Sequence, residues 1–207
     1  MPTAALWQRE WLSEGSEVLA DQLEYWRGQL AGSTVLELPT DRPRPAMQSS
    51  EGALYRFIVP DELSQALGAV CRREGVTPFM ALLAGFQALL HRLSGQDSIN
   101  VGSPIANRNR AEIEPLIGFF VNTLVLRADF TGRPTFRALL AQVRETCLAA
   151  YQHQDVPFEL LVDALQPERR LAHSPLFQVM FAFQSIAPTV LQLAGVEITP
   201  LDIDAGS

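Results

Sequence analysis

Histidine and cysteine are scarce in this chain and long apolar runs are missing, and each shortage removes a class of function. Only three histidines and two cysteines occur in 207 residues, and no metal-ligand pair with workable spacing can be drawn from them. A Gly-x-Ser-x-Gly elbow and a phosphate-binding glycine loop are also missing. Cys71 and Cys147 both fall inside helical patterns, which predicts two buried, reduced thiols and a cytoplasmic compartment rather than a disulfide. No apolar stretch reaches the about 18 residues that a membrane span needs, and no basic segment followed by an apolar block opens the chain. Membrane insertion and secretion are therefore not expected. The formal net charge of −7, with basic residues scattered apart from Arg42/Arg44, Arg108/Arg110 and Arg169/Arg170, argues against a surface that tracks nucleic-acid phosphates.

What is present is the composition of an ordinary globular domain, 47% hydrophobic and 19% charged, long enough for one large core or two small ones. The most informative stretch is 116–127, Leu-Ile-Gly-Phe-Phe-Val-Asn-Thr-Leu-Val-Leu-Arg. Its apolar side chains fall on both faces of an extended strand, which predicts a central strand covered from both sides. Asn122 and Thr123 interrupt it with polar groups that need hydrogen-bond partners once buried, and Gly118, beside Phe119, permits close backbone approach.

Along the chain, Trp11, Leu19, Leu23, Trp26 and Leu30 recur at helical spacing with a break near Gly15, predicting one or two helices. Residues 34–50 carry three prolines within seven positions and read as an extended connector strapped to the surface. Residues 53–59 are aromatic and β-branched and predict a strand, followed by a helix from Pro60 to about Glu74 that stops at Gly75. Thr77-Pro78 starts a second helix, with Phe79, Leu82, Leu83, Phe86, Leu89, Leu90 and Leu93 on one side and small residues on the other, so it is expected to be buried nearly all round. Residues 99–105 form a strand with Gly102 and Pro104 near its end, and a polar loop from Ala106 to Glu112 follows. Phe136, Leu139, Leu140, Val143, Cys147 and Tyr151 mark a third long helix, and Phe158, Leu161, Val162 and Leu165 a short fourth. Strands at 177–184 and 196–203, the latter at an edge because of Pro200, complete an α/β layer arrangement.

His91 lies within the long helix and reads as a packed or rim residue. His153 sits at a helix end beside Gln154 and Asp155, where two readings stand: a carboxylate orients the imidazole for acid–base work, or His153 caps one helix while Asp155 favours the start of the next.

Residues 117–127, Ile-Gly-Phe-Phe-Val-Asn-Thr-Leu-Val-Leu-Arg, and 153–159, His-Gln-Asp-Val-Pro-Phe-Glu, resemble two core motifs of the condensation domains of nonribosomal peptide synthetases, and their spacing fits as well. Flanking matches are Trp7-Gln8-Arg9-Glu10-Trp11-Leu12, Tyr25-Trp26-Arg27-Gly28-Gln29-Leu30, Leu38-Pro39-Thr40-Asp41-Arg42-Pro43 and Gly102-Ser103-Pro104-Ile105-Ala106-Asn107-Arg108. Residues 171–181, Leu-Ala-His-Ser-Pro-Leu-Phe-Gln-Val-Met-Phe, are similar to the family's last core motif.

The resemblance implies a lobe like chloramphenicol acetyltransferase, a mixed sheet with helices packed on it, one of two that enclose a tunnel where peptide bonds form. The whole chain, 1–207, corresponds to the C-terminal, acceptor-side lobe, expected to continue beyond both ends. The family's catalytic signature, His-His-x-x-x-Asp-Gly, belongs to the N-terminal lobe; no His-His pair occurs here, and His153 belongs to another motif. The chain is thus expected to hold no catalytic residue or cofactor and to be inactive alone, its substrates carried on phosphopantetheine. The implied partners are the N-terminal lobe, an acceptor peptidyl carrier protein and an adjacent adenylation domain. Asn107, Arg108 and the strand from Gly118 and Phe119 through Asn122 and Thr123 to Arg127 would wall the tunnel, with Asn122 and Arg108 orienting or stabilising through hydrogen bonds, and His153, Gln154 and Asp155 forming the second motif. Two other readings remain: a non-catalytic docking module for a carrier protein or neighbouring domain, and a related epimerising or ester-forming acyltransferase that needs its own catalytic histidine.

Overall fold

Local capping chemistry sets most of the helix boundaries. The computed structural model describes residues 2–13, 15–45, 47, 52–108, 111–166 and 174–184. In chain order the elements are α1 (Pro2–Trp11), α2 (Glu17–Leu30), α3 (Asp61–Glu74), α4 (Pro78–Ser94), β1 (Ser98–Ile105), β2 (Asn122–Asp129), α5 (Phe136–Gln152) and α6 (Phe158–Leu165). The hydroxyls of Ser16, Thr77 and Thr135 accept hydrogen bonds of 3.2 Å from the amides of Leu19, Met80 and Ala138, satisfying donors that a helix start leaves open. α3 and α4 both end on glycines in left-handed conformation, Gly75 (φ 66°) and Gly95 (φ 71°).

β1 and β2 pair antiparallel from Ser98 opposite Asp129 to Ile105 opposite Asn122. The other edge of β1 receives residues 177–181 in parallel: Gly102 N–H donates to the Val179 carbonyl (3.0 Å) and Phe181 N–H to the Gly102 carbonyl (2.8 Å). The glycine is required there, because a Cβ on residue 102 would lie 2.6 Å from the Phe177 ring. α4 and α5 pack beside each other against this sheet, and the core joins Leu83, Ile99, Val101, Leu124, Leu126, Val143 and Cys147. Both cysteines are buried and free.

Several expectations need correction. β2 begins only at Asn122, and among the described residues β1, not β2, is the middle strand. Residues 117–121 precede it as an exposed loop, with Phe119 89% exposed. Residues 53–59 have no strand partner among the described residues, and Ile58 is 94% exposed. In both places side-chain type favours a strand, but a ladder also needs a neighbour, and no described element supplies one. α4 is not buried all round: Leu82, Leu89 and Leu93 face outward, while Gln87 is buried and its Nε2 donates to the Leu126 carbonyl at 3.0 Å. Phe136, one of the residues that mark α5, is 51% exposed in that helix's first turn.

Residues 177–184 form a single bridge rather than a strand, yet alternate as a strand should, Phe177, Val179 and Phe181 packing inward and Met180 outward. The strand expected at 196–203 lies outside the described residues. The connector holds to the body where Leu36 is buried: its amide donates to Gln178 Oε1 (2.6 Å), the Glu37 amide to Gln96 Oε1 (2.7 Å), and Gln96 Nε2 to the Val35 carbonyl (2.8 Å).

Candidate functional site

Asn122 is the first residue of β2, and its pleat turns the side chain inward, where it is 7% exposed. A buried carboxamide has two donors and two acceptor lone pairs to satisfy. Here all four are used: Nδ2 donates to the carbonyls of Gln154 and Val156 (both 2.8 Å), and Oδ1 accepts from the amides of Thr123 (2.8 Å) and Phe158 (3.1 Å). The side chain therefore closes the turn between α5 and α6 onto the start of β2. Its hydrogen-bonding capacity is taken up within the lobe, which fits the stabilising rather than the orienting part of the expectation for Asn122.

The same turn is gripped from its other side by α2. Gln22 Oε1 accepts from the amides of Asp155 (3.1 Å) and Val156 (3.2 Å), and its Nε2 donates to Asp155 Oδ2 (3.0 Å). One turn later Trp26 Nε1 donates to the His153 carbonyl (2.8 Å), and the Tyr25 ring stacks on the His153 imidazole with centroids 4.0 Å apart and planes 10° apart. Gln22, Tyr25 and Trp26 are spaced i, i+3 and i+4 and so share one face of the helix. His153 itself ends α5: its amide donates to the Ala150 carbonyl (3.1 Å), and its Nδ1 lies 2.8 Å from the Ala149 carbonyl, so Nδ1 carries the proton. That nitrogen lies on a backbone carbonyl, as the capping reading of His153 expects, while Asp155 Oδ2 accepts from Gln22.

Thus Asn122, Thr123, His153, Gln154 and Asp155 converge on one latch, closed by Val156, which is buried, and by Phe158, which packs on Phe177 at 5.4 Å. Tyr25, which opens one of the flanking matches, and Gln22, which no motif included, complete it. The available signal was a glutamine on the apolar face of α2, where a buried amide demands distant partners.

A second cluster lies just before β2. Arg108 NH1 donates to the carbonyls of Ile113 (2.6 Å), Glu114 (3.2 Å) and Leu116 (2.8 Å), NH2 donates to that of Gly118 (3.2 Å), and the guanidinium lies 4.4 Å from the Phe120 ring centroid. Asn107 precedes it in left-handed conformation (φ 50°). Arg108 thus folds the 113–118 loop around itself and holds Phe119 outward; its observed partners are backbone carbonyls and an aromatic face. Arg127 stands apart, five residues and so about 17 Å along the strand from Asn122. It donates to Ser98 Oγ (3.0 Å) and to the carbonyls of Gln29 (3.1 Å) and Ala31 (2.7 Å), capping the C-terminal end of α2.

Burial pushes the Cys147 thiol and the Tyr25 and Tyr151 phenols up to about 12, so all three stay neutral and Cys147 is no nucleophile at ordinary pH. Among the described residues, no group of three or more His, Cys, Asp and Glu side chains is arranged to hold a metal. No single helix among them is long and apolar enough to cross a membrane.

With this geometry in view, comparison with known proteins is specific. The family model of the condensation domain matches residues 5–198. A linear gramicidin synthase of Brevibacillus parabrevis is 56% identical over 199 residues, which is 96% of this chain and 2% of that protein. Malpinin synthetase of Mortierella alpina is 50% identical over 204 residues, 98% of this chain and 3% of that protein. The chain therefore spans a small part of these relatives. Among solved structures, the X-domain from teicoplanin biosynthesis superposes with a TM-score of 0.79 at 28% identity, covering 86% of this chain and 40% of its own. The condensation domain of the Monacolin K polyketide synthase MokA gives 0.72 at 26%, covering 87% and 44%. The expected α/β fold of the chloramphenicol acetyltransferase type is the fold observed, and the chain belongs to the condensation-domain family of nonribosomal peptide synthetases.

Proposed function

We propose that residues 1–207 are the acceptor-side, C-terminal lobe of a condensation domain that joins amino acids or peptides delivered as thioesters on carrier proteins, and that the lobe is inactive alone. One observation carries this reading: the chain corresponds to 40% of the X-domain chain and 44% of the MokA condensation-domain chain, while its sequence contains no adjacent histidine pair. In the reaction, the acceptor amine nitrogen attacks the donor thioester carbonyl, the C–N bond forms as the C–S bond breaks, and the thiolate leaves as the thiol with the proton that the amine gives up. Positioning both tethered substrates in one tunnel supplies much of the rate, and a histidine of the other lobe would take up or orient the amine proton.

The work of this lobe is then a rigid wall. The latch fixes where β2 begins, Arg108 fixes the loop before it, and together they present Ile117, Phe119 and Val121 outward as apolar surface for the N-terminal lobe and the tunnel. The carrier domain, bearing phosphopantetheine as the substrate's tether, and an adjacent adenylation domain complete the set of partners, in the cytoplasm.

A second reading, a non-catalytic docking module, is favoured by the same exposed apolar residues. An epimerising or ester-forming acyltransferase needs a histidine of its own; with Nδ1 of His153 on the Ala149 carbonyl, only its Nε2 is left to serve as a base, and replacing His153 tests that reading. The test supplies aminoacyl thioesters on donor and acceptor carrier proteins to the isolated chain, and to the chain joined to a lobe bearing the His-His-x-x-x-Asp-Gly signature. Dipeptide from the joined lobes alone is the expected result. Dipeptide from the isolated chain overturns the claim of inactivity, and none from the joined lobes, with carrier binding intact, favours the docking module.

A further inference from the structure

We propose that a cleft at the end of β2 remote from the latch binds a small organic anion with an aromatic or acyl body. The cleft lies between the last turns of α4 and the turn that leads from β2 into α5, a groove of about 820 Å³ that stands open to solvent on one side. Asp129 is seven residues from Asn122 along β2, so the cleft stands about 24 Å from the latch. It is therefore a separate place on the lobe.

Its chemistry is of two kinds. Ala88, Pro134, Leu139 and the half-exposed ring of Phe136 form an apolar floor, beside a stack of His91 on Phe130 with centroids 4.3 Å apart. Arg92 and Arg133 stand on its wall. Other arginines on this side of the lobe are tied down: Arg73 and Arg137 to Glu74, Arg144 to the Gly75 carbonyl. Among the described residues the side chains of Arg92 and Arg133 make no hydrogen bond and no ion pair. Asp97, the one carboxylate lining the cleft, lies 3.8 Å from His91 Nδ1 and not against either guanidinium. Two uncommitted guanidiniums thus share one concavity on a chain of net charge −7.

The backbone that presents Arg133 is unusual. Gly132 (φ 78°) and Arg133 (φ 54°) are consecutive left-handed residues, the second closed by a 3.0 Å bond from the Arg133 amide to the Phe130 carbonyl. A long side chain in that region is strained where glycine or asparagine is comfortable, and such strain gathers at ligand clamps. Guanidiniums on the wall of one cleft favour a carboxylate or phosphate, which each can bind through its donor fork, and Phe136 with Pro134 would take the apolar body.

Titration calorimetry of the chain with phenyl phosphate, inorganic phosphate and phenol tests the site. The expected result is saturable, salt-sensitive binding of phenyl phosphate with a Kd below about 1 mM, tighter than inorganic phosphate or phenol alone. The double substitution R92Q/R133Q weakens it at least about tenfold without moving the melting temperature, because both side chains are exposed. Phe136→Ser weakens phenyl phosphate and leaves inorganic phosphate unchanged. The proposal is overturned by absence of saturable phenyl phosphate binding, by binding that survives R92Q/R133Q, or by inorganic phosphate binding as tightly as phenyl phosphate.

Discussion

Replacing Asn122 with alanine isolates the latch, because that one side chain makes four hydrogen bonds and little apolar contact is lost with it. The Val156 carbonyl is the fully buried partner, and stranding it costs about 1–3 kcal/mol. The Gln154 carbonyl and the Thr123 and Phe158 amides are partly buried and lose about 1 kcal/mol each. The four share one side chain, so their sum is an upper bound, and we expect roughly 4 kcal/mol, a large share of the 5–15 kcal/mol that stabilises an ordinary domain. Urea unfolding reads this as a lower midpoint at unchanged slope, and amide exchange at Thr123 and Phe158 accelerates. Asn122→Asp is the sharper variant. It keeps an acceptor for the two amides but turns a charged oxygen toward the carbonyls of Gln154 and Val156, and at 7% exposure it should cost at least as much as alanine at neutral pH. A loss below about 1 kcal/mol for alanine, or an aspartate variant as stable as the parent, would refute the reasoning.

The remaining predictions follow from the same contacts. Gln22→Ala and Asn122→Ala both act on the 155–156 backbone, so a double-mutant cycle should give a coupling energy above about 0.5 kcal/mol; strict additivity would separate the two grips. Gly102→Ala forces a methyl group into the Phe177 ring and should cost about 1–3 kcal/mol in urea unfolding, with loosened exchange protection at Phe181; no change would mean that residues 177–181 sit on β1 more loosely than described. Tyr25 and Tyr151, ordinarily titrating near 10.0, and Cys147, ordinarily near 9.0, are all pushed up to about 12 by burial. A raised folded value means that the unfolded chain loses its protons first. This contribution is thus complete below about pH 9 and declines as pH rises through about 12. Alkaline titration should show unfolding in that window, with the Cys147 thiol reacting with a disulfide reagent only as it occurs; prompt reaction at pH 8 would contradict the burial.

What could be read in the sequence was what neighbouring residues decide. Thr77-Pro78 and Gly75 mark helix ends because a hydroxyl caps its own first turn and a left-handed residue stops the last one, and both lie where expected. Asn122 announced itself as a polar group in an apolar run that must find partners. Which partners it finds was not legible, because Val156 is 34 residues away. The second grip is harder still: Gln22 reaches Asp155 across 133 residues, and no local pattern encodes such a contact. The errors at 53–59 and 117–121 have one cause, since apolar composition states that a segment favours cover without naming the element that covers it.

We read the turn at 153–157 as architecture rather than chemistry, and His153 is where the two diverge most cleanly. Phenylalanine at that position retains a ring to stack on Tyr25 but cannot carry a proton. The decisive measurement is the single-turnover rate of dipeptide formation by a complete two-lobe condensation domain carrying His153→Phe, corrected for the fraction folded. The account predicts a rate per folded molecule within about threefold of the parent, whereas a fall of about a hundredfold or more, the scale of a lost general acid or base, would contradict it.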